Sequence, residues 1–523
     1  KRYFRDRFDL DSKMLWLPDA FGYSAALPQL LRLAGVDSFV TSKISWSQTN
    51  RFPHDNFRWR GIDGSEVLTV FIAGAASLSD DDPPDWAPGP YMTTYNAFPE
   101  PQVMHKTWQR SRHRRQRIEP LISFGHGDGG GGPSEDMLES LSRMAAWDLP
   151  ADAVRAKPEK AGDLVRRIAD QADDLPAWDG ELYLEYHRGT YTTQAWLKRA
   201  NRKCEIALHN VEWLATLART LGLDDVLPDK AELDRAWQDL LLSQFHDILP
   251  GTSVGETYEQ VRPIMRRIAD TSSAMTEAMT HRIAGTIDAE QMARPVVLFN
   301  TLAWDRSDPI DLGEGRCLDG VKVPAGGWAV VDLDAPQVSD QATVLTVSDD
   351  GRRLVNQWWT LEIDANGWIS RLHDRANDRD VLPAGKAANV WQVFEDRPLR
   401  HDAWDIDDFY EDHPLPGPQF ESLHVVEAGD VRLAVELTWR MPALIDDEPT
   451  DNRSAIRQRI MMYASHPRID FQTTIDWHEH HQLLKVAFPV DVRATEATCQ
   501  IQFGHVRRPT HRNTSWDQAK FEV

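Results

Sequence analysis

Trp16-Leu17-Pro18-Asp19-Ala20-Phe21-Gly22-Tyr23-Ser24 is the stretch that most restricts the fold and the chemistry of this chain. The short apolar run that begins at Met14 ends at Pro18, and residues 25–31 have a helical pattern. The pattern therefore predicts that Asp19 lies where a strand gives way to a loop. In α/β folds this edge of the sheet carries catalytic side chains, so we interpret Asp19 as a catalytic carboxylate. The alternative is an aspartate that only caps the following helix.

A glycine-rich loop farther along the chain favours the catalytic interpretation. Residues 124–133, Phe-Gly-His-Gly-Asp-Gly-Gly-Gly-Gly-Pro, place six glycines around one imidazole, His126, and one carboxylate, Asp128. Glycine loses more conformational freedom on folding than any other residue, so such a dense run indicates a site where the backbone approaches a ligand. Asp128 is the candidate functional group of this loop.

A third segment ends a predicted helix. Residues 241–252, Leu-Leu-Ser-Gln-Phe-His-Asp-Ile-Leu-Pro-Gly-Thr, form an apolar helical stretch that stops at Pro250-Gly251. His246 and Asp247 lie in its last turn. A neutral histidine at this place is able to bind a divalent metal ion.

In this order along the chain, the three segments resemble class II α-mannosidases, glycoside hydrolase family 38, and most closely the cytosolic branch of that family. The resemblance runs nearly from end to end. It extends to further stretches at residues 39–46, 52–55, 61–65, 185–194, 402–405, 502–505 and 508–511.

The resemblance implies roles for particular residues. Asp19 matches the nucleophile of the family, which also binds an active-site zinc ion, and His246 matches the histidine ligand that the helical domain supplies. Asp128 is the candidate general acid/base. The resemblance also implies Zn²⁺ as cofactor, one ion per active site, with other divalent metals as open alternatives. The residues we expect at the substrate are His126, Asp247, Tyr191, His187 and Arg508.

One part of the family's zinc site has no match in this chain. The other two zinc ligands of the family are a histidine and an aspartate two residues apart on the first barrel strand, and nothing before Asp19 resembles His-x-Asp. The chain opens with Lys1 and stops at Val523 inside a region that resembles mid-domain sequence. We therefore expect an internal fragment that binds zinc weakly and turns over poorly, since a catalytic zinc ion takes three protein ligands and a water.

The composition is that of a large globular enzyme. At 523 residues the chain exceeds the roughly 250 to 300 residues at which single cores stop growing, so two or more domains are expected. A net charge of −23 argues against nucleic acid as a partner, and no apolar run approaches the roughly 18 residues that span a bilayer, which argues against the membrane. Only three widely spaced cysteines are present, which favours a cytoplasmic location. Whether the chain forms a homo-oligomer is left open.

The pattern of strand-like and helical runs changes twice along the chain. Residues 1–180 alternate strand-like and helical runs, which predicts βα units and, with the resemblance, a partial α/β barrel of the family 38 type. Residues 181–290 read as long helices and resemble the three-helix bundle of the family, which would complete the active site. Residues 291–523 contain short alternating runs between turns and resemble a β-sandwich that is cut short. The predicted fold class is therefore multidomain: α/β, then α, then β.

Three weaker motifs are given structural interpretations. Gly125-x-Gly127-x-x-Gly130 fits the dinucleotide fingerprint, but an acidic residue about 20 positions later at the end of a second strand is not evident. His478-Glu479-His480-His481 lacks the spacing of the zinc-protease motif and favours a turn or a sheet edge. The arginines of residues 110–117 favour an exposed helix face or a connecting segment.

Three function classes follow. The leading prediction is a zinc-assisted retaining α-mannosidase that hydrolyses terminal α-mannosides of mannose-containing oligosaccharides or glycans through a covalent glycosyl-enzyme. Its two carboxyl groups, Asp19 and Asp128, must then lie about 5 to 5.5 Å apart although they are distant in sequence. The alternatives are a non-catalytic carbohydrate-binding fragment and a metal-dependent phosphohydrolase built on His246 and Asp247.

Overall fold

The computed structural model describes residues 1–75, 92–128, 130–148, 155–313, 316–335, 344–442 and 453–520. The helices are α1 (Arg2–Phe8), α2 (Leu27–Leu33), α3 (Pro101–Arg110), α4 (Glu135–Ala145), α5 (Ala161–Ala169), α6 (Ala195–Thr220), α7 (Lys230–Ser243), α8 (Gly255–Ala284) and α9 (Ser515–Gln518). None of the described helices is long and apolar enough to cross a membrane.

The strands of the described residues fall into seven sheets. They are β1 (Met14–Trp16), β2 (Ser38–Thr41), β3 (Asn56–Arg60), β4 (Glu66–Phe71), β5 (Ala177–Asp179), β6 (Pro295–Asn300), β7 (Ile310–Gly313), β8 (Arg316–Leu318), β9 (Gly327–Asp332), β10 (Thr346–Val347), β11 (Arg353–Val355), β12 (Trp359–Ile363), β13 (Ile369–Asp374), β14 (Arg379–Asp380), β15 (Val390–Glu395), β16 (Pro414–Leu415), β17 (Gln419–Ala428), β18 (Arg432–Arg440), β19 (Ala455–Tyr463), β20 (Ile469–Asp476), β21 (Gln482–Ala487), β22 (Glu496–Ile501) and β23 (Gly504–Pro509).

The chain divides into two compact units. The first contains Lys1–Thr193, Arg400–Asp408 and Ala494–Val523, so two segments return to it from later in the sequence. The second contains Gln194–Leu399 and Phe409–Arg493. The first unit thus contains Asp19 and Asp128, whereas His246 belongs to the second.

An open five-stranded sheet organises the first unit, in the order β1-β2-β4-β3-β5. Strands β1, β2 and β4 are parallel, and β3 runs antiparallel to β4. All four residues of β2 are buried, as expected for a parallel strand with both faces covered. Because the carboxyl ends of parallel strands meet at one edge of a sheet, the chain segments that follow β1, β2 and β4 are brought together there.

The returning C-terminal segment packs on this unit. Strands β22 and β23 pair as an antiparallel hairpin, and α9 follows after five residues. A Cβ on Gly504 would lie 2.8 Å from the Ile62 side chain, so the hairpin approaches closely. Arg188 Nη2 donates to the carbonyl of Ala519 at 2.6 Å, which ties the end of the chain to residues 185–191.

A three-helix bundle opens the second unit. Helices α6, α7 and α8 pack around a core that includes Leu208, Leu240 and Ile268, all almost fully buried. The sequence predicted this bundle, and the apolar spacing of α6 places Leu208, Val211 and Leu214 on its buried face. The break that Pro228 predicted lies between α6 and α7.

The remainder of the second unit is β-rich. The five-stranded sheet β10 to β14 and the four-stranded sheet β17 to β20 contribute to one apolar core, in which Leu361 from the first sheet and Trp439 from the second are both fully buried. Two sheets that share a core form a sandwich. The multidomain fold class of α/β, α and β parts is therefore confirmed, with an open sheet in place of a closed barrel among the described residues.

Candidate active site

Asp19 lies in a fixed loop at the carboxyl end of β1. The Leu17 amide donates to the Val40 carbonyl at 2.9 Å, so the chain stays on the sheet for one residue beyond β1. The buried Tyr23 hydroxyl then donates to the Leu17 carbonyl at 2.8 Å and bonds the Thr41 hydroxyl at 2.5 Å. These bonds hold both ends of the short loop, and they leave the Asp19 side chain only 17% exposed.

Lys43 provides a buried cation beside Asp19. It follows the buried strand β2, and its Nζ lies 2.8 Å from Asp19 Oδ1 with the lysine side chain 8% exposed. The same ammonium lies 3.5 Å from the centroid of the Trp46 ring. A charge at this depth is costly unless it is paired, and removing one partner would leave the other buried without compensation. The ion pair therefore favours an ionised Asp19 carboxylate.

Tyr95 connects Asp19 to the glycine-rich loop. Its hydroxyl lies 2.8 Å from Asp19 Oδ2 and 2.9 Å from Asp128 Oδ1. Burial, and then the negative charges of the two carboxylates, raise the pKa of Tyr95 far above its usual value, so the phenol keeps its proton. One neutral hydroxyl thus contacts both carboxylates that the sequence identified.

Close contacts require glycine at two positions beside Asp128. The amide of His126 donates to the carbonyl of Gly132 at 2.7 Å, and the reverse bond is 2.9 Å, so the loop closes on itself as a small hairpin. A Cβ on Gly125 would lie 2.8 Å from the Gly132 backbone, and one on Gly127 would lie 2.9 Å from the Asn96 side chain. Asp128 itself has a φ of 49°, and its side chain is exposed at the end of this loop.

The bridging hydroxyl gives a direct prediction. We expect Tyr95→Phe to lower kcat/KM about 10- to 100-fold, because a hydrogen bond to a charged group contributes about 1.5–3 kcal/mol. Steady-state kinetics on an α-mannoside measures this effect. Tyr463→Phe is the matched control, since it removes a phenol that donates to Asp470 in the second unit at 2.5 Å. An equal loss in both variants would show that the Tyr95 effect is only structural.

Four further predicted substrate residues lie in the first unit. Tyr191 is 51% exposed, and His126 is exposed and packs edge-on against Phe98 at 5.4 Å. His187 is 4% exposed and Arg508 is 9% exposed. The Arg508 guanidinium forms an ion pair with Glu181 and lies 5.3 Å from the centroid of the Tyr183 ring. Of the four, Tyr191 and His126 are therefore the two with accessible side chains.

His246 and Asp247 lie in the second unit, in the turns that follow α7. The His246 Nε2 atom is 3.8 Å from Asp247 Oδ2, and its ring packs on Phe245 at 4.2 Å. Lys198 Nζ donates to the carbonyls of Leu249 at 2.9 Å and Pro250 at 2.7 Å, which holds this turn against α6. Burial lowers the pKa of Lys198 to about 8. His246 as a partner of Asp19 stays a prediction.

Three models of known protein families match successive parts of the chain. Residues 1–181 match the model of the glycosyl hydrolases family 38 N-terminal domain, residues 185–283 the alpha mannosidase middle domain, and residues 354–523 the glycosyl hydrolases family 38 C-terminal domain. The chain belongs to glycoside hydrolase family 38.

Curated relatives of this family 38 chain are named alpha-mannosidases. Alpha-mannosidase 2C1 of Homo sapiens is 34% identical over 531 residues, which cover 100% of this chain and 48% of that protein. Alpha-mannosidase of Saccharomyces cerevisiae is 31% identical over 539 residues, which cover 100% of this chain and 45% of that protein. The family 38 chain thus spans about half the length of the curated relatives it matches.

A solved structure shows the same fold. The crystal structure of an alpha-mannosidase from Enterococcus faecalis V583 superposes with a TM-score of 0.75 at 15% sequence identity. The match covers 98% of this chain and 66% of the Enterococcus faecalis chain. At this identity the likeness carries the fold alone.

The described residues of this family 38 chain do not by themselves make up a zinc site. A catalytic zinc ion takes three protein ligands and a water, whereas the described residues contain no cluster of three or more His, Cys, Asp or Glu side chains that could hold a metal ion. In the first unit, the two oxygens of Asp19 contact Lys43 and Tyr95. Zinc therefore stays a prediction.

Sequence reasoning missed two residues that contact the carboxylates. Lys43 carried a usable signal, because a lysine three residues after the apolar run Phe39-Val40 is expected to be buried and then needs a partner. Tyr95 carried none, since it lies in the segment 77–100 that has no periodic pattern and no resemblance. Residues 77–91 of that segment lie outside the described structure.

Proposed function

We propose that this family 38 chain hydrolyses terminal α-mannosides of oligosaccharides or glycans with retention of configuration at the anomeric carbon. The relatives named alpha-mannosidase support mannose as the sugar. The observation that carries the proposal is the Tyr95 hydroxyl in contact with both Asp19 and Asp128.

The spacing of the carboxyl groups supports retention. Because the hydroxyl lies 2.8 Å from Asp19 Oδ2 and 2.9 Å from Asp128 Oδ1, those oxygens can be no farther apart than the two distances laid end to end, about 5.7 Å. Retaining glycosidases separate their carboxyl groups by about 5–5.5 Å, whereas inverting enzymes need about 6.5–9.5 Å to admit a water. The upper limit therefore favours a carboxylate that attacks the sugar directly.

The proton count supports a division of roles. A neutral Tyr95 hydroxyl has one proton, so it can donate to only one of its two carboxyl neighbours. The Lys43 ammonium at 2.8 Å favours a negative charge on Asp19. Tyr95 is therefore assigned as the donor to Asp19. In this arrangement Asp19 is the nucleophile, and Asp128 is the general acid/base.

The reaction has two balanced steps. In the first, an Asp19 oxygen forms a bond to the anomeric carbon while the bond from that carbon to the leaving oxygen breaks, and Asp128 gives its proton to that oxygen. In the second, Asp128 takes a proton from water, the water oxygen bonds to the anomeric carbon, and the ester to Asp19 breaks. The Tyr95 hydroxyl and the Lys43 ammonium stabilise the Asp19 carboxylate each time it is free.

The stereochemistry of the first product tests this proposal. We expect proton NMR of a fresh digest of an aryl α-mannoside, with zinc added, to show α-mannose before mutarotation produces the β anomer. Initial release of β-mannose would contradict the retaining mechanism. Mannose binding without any hydrolysis would support the carbohydrate-binding alternative instead.

A cytoplasmic location is also part of the proposed function. Cys204, Cys317 and Cys499 are all free thiols, which supports a reducing, cytoplasmic location because disulfides are rare there. A mannose-containing oligosaccharide is the proposed partner, and self-association stays an open prediction. The phosphohydrolase alternative rests on His246 and Asp247 alone, and no further observation favours it.

A further inference from the structure

The segment Arg400–Asp408 belongs to the first unit although the chain on both sides of it belongs to the second. It packs tightly against the turn Arg188–Tyr191. The Thr190 amide donates to the Trp404 carbonyl at 3.2 Å, and a Cβ on Gly189 would lie 2.9–3.0 Å from three backbone atoms of Asp405. Only glycine at position 189 therefore allows the segment to reach this place.

Both carboxylate oxygens of Asp405 contact His187. The Asp405 side chain is 2% exposed, and its Oδ1 atom accepts a hydrogen bond from the backbone N–H of His187 at 2.5 Å. Oδ2 lies 3.2 Å from His187 Nδ1. His187 has a φ of 59°, in the left-handed region that is costly for a residue with a Cβ. The two contacts from Asp405 thus hold a strained residue in one orientation.

The charge state of His187 follows from its surroundings. Burial lowers its pKa, although the neighbouring Asp405 acts in the opposite direction. The ring is then neutral near pH 7, and the carboxylate beside Nδ1 assigns the ring proton to that nitrogen. Asp405 accordingly fixes both the tautomer and the direction of the imidazole.

The His187 ring supports the segments that hold the catalytic carboxylate. It packs edge-on against Phe21 with the ring centroids 4.9 Å apart, and Phe21 is two residues from Asp19. It also lies 6.5 Å from the ring of Trp46, over which Lys43 Nζ lies at 3.5 Å. The loop after β1 and the turn after β2 therefore both contact one imidazole.

From these contacts, and resting on the proposed function, we propose that Asp405 is a positioning residue for the reaction. It orients the His187 imidazole, and that ring keeps Phe21 and Trp46 where the Lys43–Asp19 ion pair needs them. Asp405 acts through other residues and does not touch the sugar. A displacement of about 1 Å at a reacting group can cost about 100-fold in rate, so a remote carboxylate can act on turnover in this way.

Asp405→Asn tests the inference with little change in shape. The asparagine keeps Oδ1 as an acceptor for the His187 N–H, but its NH₂ group cannot accept a hydrogen bond from Nδ1–H. We expect kcat to fall about 10- to 100-fold while KM changes less than about threefold. We also expect a fluorinated mannosyl fluoride, which forms a long-lived ester with a nucleophilic carboxylate, to label Asp19 more slowly by the same factor as kcat.

Leu141→Ala is the matched control for lost stability. Leu141 is 4% exposed in α4 of the same unit, and it lies outside the core clusters that include Phe21, Trp46 and Tyr95. All assays are made well below the Tm of every variant. We expect Leu141→Ala to lower the Tm and to leave both kcat and the labelling rate near those of the native protein.

The outcomes separate the inference from the proposed function. Labelling of Asp19 in the Asp405→Asn variant at the native rate overturns the inference alone. A loss of labelling and of mannose affinity that follows Tm in both variants assigns Asp405 a merely structural role and also overturns it. Failure of the native protein to become labelled overturns the proposed function, and with it the inference.

Discussion

Asp19→Asn is expected to lower α-mannoside turnover by about 10⁴- to 10⁶-fold, the range of losses when a hydrolase loses one residue of its catalytic triad. Asparagine has nearly the same volume and can still accept a hydrogen bond from Tyr95. It cannot form the ester to the anomeric carbon, and it leaves the Lys43 ammonium without a counter-charge 2.8 Å away. Steady-state rates with an aryl α-mannoside and added zinc measure the loss.

An aspartate of the same unit provides the control. Asp63 is exposed and contacts Ser65 in a surface turn, so Asp63→Asn is expected to keep the native rate. Circular dichroism and Tm measurements on both variants separate lost chemistry from lost folding. Retention of more than about one hundredth of the native rate in a folded Asp19→Asn variant would contradict the assignment of the nucleophile.

Asp128→Asn is expected to produce an effect that depends on the leaving group. General acid catalysis contributes about 10²- to 10⁴-fold, so hydrolysis of a disaccharide, whose leaving alcohol needs a proton, is expected to slow by that factor. The first step with a dinitrophenyl mannoside is expected to change little, because its phenolate leaves without help. The ratio of the two losses in kcat/KM is the measured quantity.

The second step gives an independent check on Asp128. Azide attacks the glycosyl-enzyme without a general base, so added azide is expected to restore turnover of the activated substrate in Asp128→Asn. Asp136→Asn is the control, since Asp136 is an exposed acidic residue in the first turn of α4, close along the chain. Equal losses on both substrates, or no response to azide, would remove the acid/base role from Asp128.

The part of the site that depends on local sequence could be predicted. Asp19 follows a short strand that a proline ends, and the glycine loop has a composition that restricts its backbone, so both carboxylates could be predicted as candidate site residues from their neighbours. The helical pattern of residues 25–31 overlaps α2, and the segment His478–His481 lies in the connection between β20 and β21. Periodicity and turn residues describe such elements well because the interactions that form them are close in sequence.

The connections between segments could not be predicted. The Tyr95 contact with Asp19 spans 76 residues, and the Asp405 contact with His187 spans 218 residues. Neither residue has a neighbour in sequence that indicates its partner. The resemblance to the family includes residues 402–405, but it implies no role for Asp405. Such contacts follow from how the sheet and the returning segments pack, which short patterns do not encode.

The sequence also could not predict which of the candidate substrate-binding side chains are buried. His187 and Tyr191 stand four residues apart in one conspicuous stretch, yet the structure buries His187 and leaves Tyr191 51% exposed. Arg508 likewise stands in a stretch that resembles the family, and the fold pairs it with Glu181. Polar residues in one segment that resembles the family can therefore either bind the substrate or stabilise the fold. Only their burial and contacts in the folded structure distinguish the two roles.

Covalent trapping tests the central claim most directly. The native protein, with zinc added, is incubated with a fluorinated mannosyl fluoride and digested, and the modified peptide is sequenced by mass spectrometry. We expect a single mannosyl ester on Asp19, absent from the Asp19→Asn variant. An ester on another carboxylate, or full hydrolytic activity with no ester formed at Asp19, would contradict the account.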